Sequence, residues 1–341
     1  MARYCIFRTD RIGDVILTLP MAEALKRYDP EAQVTFCVQE YTHELATLCP
    51  FVDDVISIPE RDLSRERADY VNALRDRHFD VALFAFPRPR LARAARRARI
   101  PVRVGTAFRW YAPLFTHRVH EHRQPSVMHE RDYNLNLLRS VDITVPDDLL
   151  PRLDIPDTLS AEASAAIRAA GVRDEHPYGV LHPGSGGSAK DWPPERFAEL
   201  ASALVTAHPG LQLLLTGTTA ERALMENVRR DAGTQVHMLE HPVSLALLAG
   251  ILAGAEFTVA NSTGPLHIAA AVGTPVLGLY PFARVTHPRR WGPLGPRAAV
   301  LTPDPEPQCR DCLRGRCSRH DDMRRISAQA AFTALMALDP L

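Results

Sequence analysis

The sequence predicts an α/β protein built from two doubly wound parallel sheets, and three observations carry that expectation. Its 341 residues are too many for one ordinary core and suit two domains of roughly 150 residues each. Short apolar runs alternate with longer helical patterns, as they do where the strands of a parallel sheet are joined through covering helices. The alternation also comes as two separate series, parted by a proline- and aspartate-rich stretch from Val145-Pro146 to Pro156 that reads as a linker.

In the first series Tyr4-Cys5-Ile6-Phe7 reads as a strand, Val15 to Tyr28 as a helix and Gln33 to Val38 as the next strand. Pro20 lies inside that helix, where a missing N–H and a steric clash predict a kink or an early break. Val55 to Ile58 and Asp80 to Phe84 continue as strands, with Ala68 to Arg77 helical between them.

The second series begins with a strand at Tyr178 to His182. It continues with a helix at Pro194 to Ala207, a strand at Gln212 to Thr216 and a helix near Thr219 to Asp231. Ser244 to Leu252 reads as a helix, Phe257 to Ala260 as a strand, Pro265 to Val272 as a helix and Pro275 to Leu279 as a strand. The alanine-rich segment Ser327 to Leu338 has helical apolar spacing and is expected to pack on one of the domains. The expected divisions are 1–150, 151–325 and a terminal helix in 326–341.

Composition narrows the function classes. An apolar fraction of 46% and a charged fraction of 23% are those of a globular chain. Lys+Arg and Asp+Glu both total 40, so overall charge gives no reason to expect a nucleic-acid partner. No window reaches the ~20 apolar residues of a membrane span, and the first strand starts too soon for a signal peptide. The protein is therefore expected in the cytoplasm, with room for peripheral contact with the inner face of the inner membrane. In that reducing compartment Cys5, Cys37 and Cys49 read as core residues, not as a disulfide framework.

Three stretches carry chemistry, and each follows a strand and opens a helix. In Arg8-Thr9-Asp10-Arg11-Ile12-Gly13-Asp14-Val15, Gly13 permits a tight turn and Asp14 falls at a helix start. Asp14 can be read as a helix N-cap or as a general base. In His182-Pro183-Gly184-Ser185-Gly186-Gly187-Ser188-Ala189-Lys190-Asp191-Trp192-Pro193, glycines and serines free backbone N–H groups to face an anion. Lys190 adds a point charge, and the helix starting near Pro193 or Pro194 adds the positive end of its dipole. In Asn261-Ser262-Thr263-Gly264-Pro265-Leu266-His267, a tight turn leads into a helix whose first N–H groups suit phosphate oxygens. His267 reads either as a structural residue or as part of that pocket. Loops at the carboxyl ends of strands are where open α/β sheets bind ligands, so two such sheets are expected to face each other across one cleft.

At these residues the sequence resembles glycosyltransferase family 9, the ADP-heptose:lipopolysaccharide heptosyltransferases. The resemblance rests on Arg11-Ile12-Gly13-Asp14-Val15 with Thr18-Leu19-Pro20, on His182-Pro183-Gly184 with Lys190-Asp191-Trp192-Pro193, and on Asn261 to His267. It implies the GT-B architecture of two Rossmann-like domains and transfer with inversion, without a catalytic metal. The implied substrates are an ADP-sugar donor and a phosphorylated, lipid-linked glycan acceptor.

Carried over residue by residue, the resemblance makes Asp14 the catalytic base, beside Gly13, and Lys190 the group that meets the diphosphate. It places Ser185, Gly186, Ser262, Thr263, Gly264 and His267 around the phosphates and sugar, Glu221 at the ribose and Val243 at the adenine. Many members have aspartate where this chain has Ser262, which leaves the donor sugar open. A sugar-nucleotide epimerase and a nucleotide-sugar binding protein without turnover remain as alternatives.

Two further features stand apart. Arg88, Arg90, Arg93, Arg96, Arg97, Arg99 and Arg103 fall in an acid-free stretch. It reads either as a solvated helical face or as a surface for a phosphorylated acceptor or anionic membrane. Cys309, Cys312, Cys317 and His320 form a compact group that could hold a structural zinc or remain reduced thiols.

Overall fold

The computed structural model describes residues 1–59, 68–233, 235–304, 309–313 and 323–341. Its contacts divide the chain into two compact units, Met1–Asp154 and Ile155–Leu341.

The N-terminal unit contains β1 (Arg3–Arg8), β2 (Gln33–Gln39), β3 (Asp54–Ile58), β4 (Val81–Phe84), β5 (Val102–Thr106) and β6 (His117–Val119). They pair in the order β3-β2-β1-β4-β5-β6, and every pairing is parallel. The C-terminal unit contains β7 (Tyr178–His182), β8 (Gln212–Leu215), β9 (Val236–Met238), β10 (Phe257–Asn261), β11 (Val276–Leu279) and β12 (Ala298–Leu301). Their order is β12-β11-β10-β7-β8-β9, again all parallel. Each is the doubly wound Rossmann order, in which strand sequence reverses beside the unit's first strand. The reversal lies between β1 and β4 in one sheet and between β7 and β10 in the other.

Strands β1 and β7 read as continuous apolar runs because helices cover both faces of a parallel sheet. Cys5, Ile6 and Phe7 are fully enclosed, as are Val180 and Leu181. Cys5, Cys37 and Cys49 are buried and reduced, as their apolar surroundings implied. Burial holds all three thiols well above the ordinary range, Cys49 at about 12, so they are packing residues without a reactive thiolate.

Pro20 ends the first helical pattern as expected: a short helix Ile12–Ile16 is followed by a second, Pro20–Tyr28. The terminal helix Ala328–Met336 packs on the helix Pro194–Ala207 and buries Ala331 and Leu335 in the core of the C-terminal unit. Strands β5, β6, β9 and β12 complete the sheets but were not legible in the sequence. They have only three to five residues each, and β6 and β12 are largely unburied. Among the described residues, no helix is long and apolar enough to cross a membrane.

Candidate active site

All three sequence-predicted stretches lie at the two strand-order reversals. The first runs from the end of β1 into the helix Ile12–Ile16, whose N-cap is Arg11. Asp14 is therefore inside the first turn and is not the cap. Its side chain turns back to Arg8, the last residue of β1, and forms an ion pair with it.

Arg8 is only 2% exposed, and each nitrogen of its guanidinium faces a different acid. Nε donates to Asp10 at 2.8 Å, Nη2 to Asp14, and Nη1 to Glu130 at 2.9 Å, with Asn134 Oδ1 at 3.2 Å. Burial opposes this charge, but the three carboxylates outweigh it and hold the guanidinium pKa above its ordinary value. Arg123 reaches the same Glu130 at 2.6 Å and Asn134 at 3.0 Å. Asn134 in turn donates to Leu17 O and Thr18 Oγ1, fixing the end of the short helix.

From the end of β4, Arg88 donates to Thr9 Oγ1 and Thr9 O, both at 3.0 Å. The segment leading into the helix of Asp14 is thus held across the reversal point by charge-assisted bonds. Neither Glu130 nor Arg123 was legible in the sequence, because no local pattern signals an ion pair spanning 122 residues.

Arg88 leaves the expected arginine surface for this reason. Arg103 leaves it too, since its side chain bonds Leu114 O at 2.9 Å and Ile100 O. The remaining exposed members are Arg90, Arg96 and Arg97 on the helix Pro89–Arg97, with Arg99 just beyond it.

The second and third stretches meet at the reversal in the C-terminal unit. Asn261 ends β10 fully buried. It donates to Pro183 O at 2.6 Å and accepts from Trp192 N at 2.9 Å, so one side chain holds both ends of the 183–192 loop. Trp192 is fully enclosed, and its indole donates to Ile326 O at 2.9 Å. Ser188 Oγ closes the loop onto Ser262 O at 3.0 Å.

Between these anchors Gly186 and Gly187 have φ of +57° and +75°, a region that side chains rarely adopt, and both are exposed with Lys190. Ser185 is buried and donates to Ala189 O. The helix Gly264–Ala271 starts beside this loop, one residue earlier than expected. Ser262, Thr263 and Gly264 are partly exposed at its head, while His267 is buried. Burial raises the pKa of Tyr280, and the nearby Ser262 hydroxyl opposes that rise.

Glu221 is engaged with the loop as well as with its own turn. One oxygen accepts from Gly186 N at 2.9 Å, and the other from Thr218 N and Thr218 Oγ1, each at 2.8 Å. Burial alone would raise its pKa, but these hydrogen bonds outweigh burial and lower it. Beside it, a half-open cavity is lined by Gly217, Thr218, Thr219, Arg222, Met225 and the segment Leu239 to Pro242. Glu221 and Val243 flank this cavity without lining it, and Arg222 is the lining cation that sequence reasoning missed.

Buried His182 shares a proton with Thr216 Oγ1 at 2.9 Å, and burial lowers its pKa to about 4, so it is neutral in the fold. Of the cysteine group, Cys309 is partly buried. Cys317, His320 and the Cys312 side chain lie outside the described residues. Among the described residues, no group of three or more His, Cys, Asp or Glu could hold a metal ion.

The profile of glycosyltransferase family 9 (heptosyltransferase) matches residues 67–321, which include the second and third stretches. The chain belongs to glycosyltransferase family 9. It is similar to a Haemophilus influenzae protein named in general terms as a glycosyltransferase, with 27% identity over 299 residues and 86% of each chain covered. It is also 27% identical over 335 residues to lipopolysaccharide heptosyltransferase 1 of Pseudomonas aeruginosa, covering 93% of this chain and 87% of that one. Among solved structures, the ADP-heptose lps heptosyltransferase II of E. coli superposes with a TM-score of 0.78 at 21% identity. That match covers 99% of this chain and 98% of the E. coli chain. The expected GT-B class is thus the fold this family 9 glycosyltransferase shares with that enzyme.

Proposed function

We propose that this family 9 enzyme moves a heptose, or a closely related sugar, from an ADP-sugar onto the core of a lipopolysaccharide or a similar envelope glycan. The observation that carries the reading is the Asn261 junction. One buried amide holds the Lys190 loop against the turn that opens the helix Gly264–Ala271. Exposed glycines, a lysine and a helix start then share one strand-order reversal, which suits the diphosphate of a nucleotide sugar. The Pseudomonas and E. coli relatives, named as heptosyltransferases, support the choice of sugar and acceptor class.

In this reading Asp14 removes a proton from the acceptor hydroxyl as its oxygen bonds to the anomeric carbon. The bond to the leaving ADP breaks on the opposite face, which inverts that centre. Lys190, the loop N–H groups and the helix start offset negative charge on the departing diphosphate, so the residues present supply what a divalent cation supplies elsewhere. The cavity beside Glu221 and Val243 takes the nucleoside, with Arg222 at its wall.

Ser262 presents a neutral hydroxyl toward the donor sugar, so the enzyme is expected to tolerate variation at the hydroxyls that an aspartate would bind. The acceptor is a phosphorylated, lipid-linked glycan, and Arg90, Arg96, Arg97 and Arg99 supply the charge that meets it or the membrane carrying it.

The test is a thermal-shift panel of nucleotide sugars followed by an ADP-release assay. ADP-heptose is expected to raise Tm more than UDP- or GDP-sugars, because selective binding to the native state stabilises it. Release of ADP is expected only when a lipopolysaccharide-core acceptor is added. Equal shifts for all three nucleotides, or no acceptor-dependent release, would falsify the reading.

A further inference from the structure

The guanidinium that holds Asp14 also holds Asp10. This inference rests on the reading of Asp14 as the base. We propose that Asp10 is a positioning residue for Asp14, acting through Arg8: its charge sets how much of the shared guanidinium Asp14 retains, and hence how strong a base Asp14 is.

The geometry makes the two acids competitors. Asp10 and Asp14 meet Nε and Nη2 of one buried arginine, and among the described residues neither makes a second ion pair. The third acid, Glu130, is shared with Arg123 and is held independently of that competition. Two arginines therefore face three carboxylates, an excess of one negative charge while Asp10 is ionised and none once it is protonated. That count covers the ion pairs of the described residues. Tyr41 donates to Asp10 O at 2.9 Å, Gln39 to Thr9 O at 2.8 Å, and Arg88 sits over the Phe86 ring with its bonds to Thr9. In these bonds each addresses the Asp10 or Thr9 backbone or the Thr9 hydroxyl.

A neighbouring negative charge makes a carboxylate a better proton acceptor, and a guanidinium left to it alone makes it a poorer one. Burial raises the pKa of Asp10 to about 7, with the nearby Asp14 adding to the rise and Arg8 opposing it. Asp10 can therefore change charge within the working range of an enzyme.

The experiment is the pH profile of kcat/KM for the acceptor at saturating donor, in the full-length enzyme. The wild type is expected to fall on the acid side through an upper step near pH 7 that ends on a lower plateau. Asp10→Asn is expected to lack the upper step, to be about threefold to tenfold slower than wild type at pH 8, and to match it near pH 6. Donor KM should stay within about twofold, and Asp10→Glu should restore the upper step.

A wild-type acid limb without that upper step and plateau overturns the inference without any variant. So does an Asp10→Asn enzyme with the wild-type profile, or one depressed equally at every pH. Asp14→Asn separates this from the parent reading. If that variant is inactive while Asp10→Asn keeps the wild-type profile, the inference fails and the base assignment stands. If Asp14→Asn turns over normally, both fail.

Discussion

At the carboxyl edge of the N-terminal sheet the polar groups are full charges. Arg8 and Arg123 are interlocked with Asp10, Asp14 and Glu130, largely out of water. At the matching edge of the C-terminal sheet they are mostly dipoles: a buried amide, a neutral histidine, glycine N–H groups and a helix start, with Lys190 on the exposed loop. The two sheets have the same strand order, so the difference comes from side chains and not from topology. A proton acceptor needs an anion whose basicity is set by neighbouring charges, and those charges must be fixed in place to be effective. In the proposed reading this edge takes a diphosphate, which carries its own charge, so preorganised dipoles can hold it without a buried cation.

The comparison can be broken first at Asp14. Asp14→Asn keeps the shape of the side chain and its place beside Arg8, yet cannot accept the proton. Turnover should fall about 10²- to 10⁴-fold while ADP affinity, measured by calorimetry, stays within about twofold. Loss of ADP binding in that variant would mean that the charged edge also serves the donor.

Lys190→Ala should do the reverse. It should weaken ADP binding by about tenfold to a hundredfold, the scale of a charge-assisted hydrogen bond of roughly 1.5–3 kcal/mol. Its circular dichroism and unfolding curve should match the wild type, because the residue is exposed.

Asn261→Leu probes the dipolar edge from beneath. It strands Pro183 O and Trp192 N without the partner that joins them. The expected destabilisation is about 2 kcal/mol, the scale of a buried polar group left unsatisfied. Urea unfolding should show that loss in the C-terminal unit, together with weaker ADP binding. A variant as stable as the wild type would demote Asn261 from its anchoring role.

The two edges should also respond to pH with opposite sign. His182 has a folded pKa near 4 against an ordinary 6.5, so between those values the unfolded chain binds more protons. The contribution from His182 is complete above pH 6.5 and is lost as pH falls toward 4. Asp10 has a folded pKa near 7 against an ordinary 3.8, so there the folded chain binds more protons. Its contribution is greatest below about pH 4 and is lost as pH rises through 7. Asp10→Asn should therefore be more stable than wild type at pH 8, with a much smaller gain at pH 5. A gain of equal size at both pH values would contradict the assignment.

The smallest effect belongs to the exposed arginines. Reversing the charge of Arg90, Arg96 and Arg99 should change stability by less than about 0.5 kcal/mol, as surface substitutions do. Acceptor KM should rise and should depend more weakly on salt. If neither acceptor KM nor binding to anionic vesicles changes, the helix face is simply solvated.

Periodicity made the central strands legible because burial on both faces leaves long apolar runs. It did not reveal β5, β6, β9 and β12, whose few residues are made strands by pairing with the neighbours already in place. The three site stretches were legible because glycines, a proline and small hydroxyl residues at strand ends are local signals. Glu221 was singled out through resemblance, but its double engagement with Gly186 and Thr218 was not legible, since hydrogen-bond partners are not encoded by spacing.

By itself, then, the sequence determined the alternation of strands and helices, the turn chemistry at three strand ends and the identity of Asp14 and Lys190 as the groups to follow. Only the tertiary structure decided that Asp14 is an ion-paired residue inside a helix and no N-cap, and that Arg88 and Arg103 turn inward. It alone made Asn261 the junction of two loops. The physical reason is range. Backbone preference and hydrophobic period act over a few residues, whereas the charge balance around Arg8 is set by groups up to 122 positions away that meet only when the chain has folded.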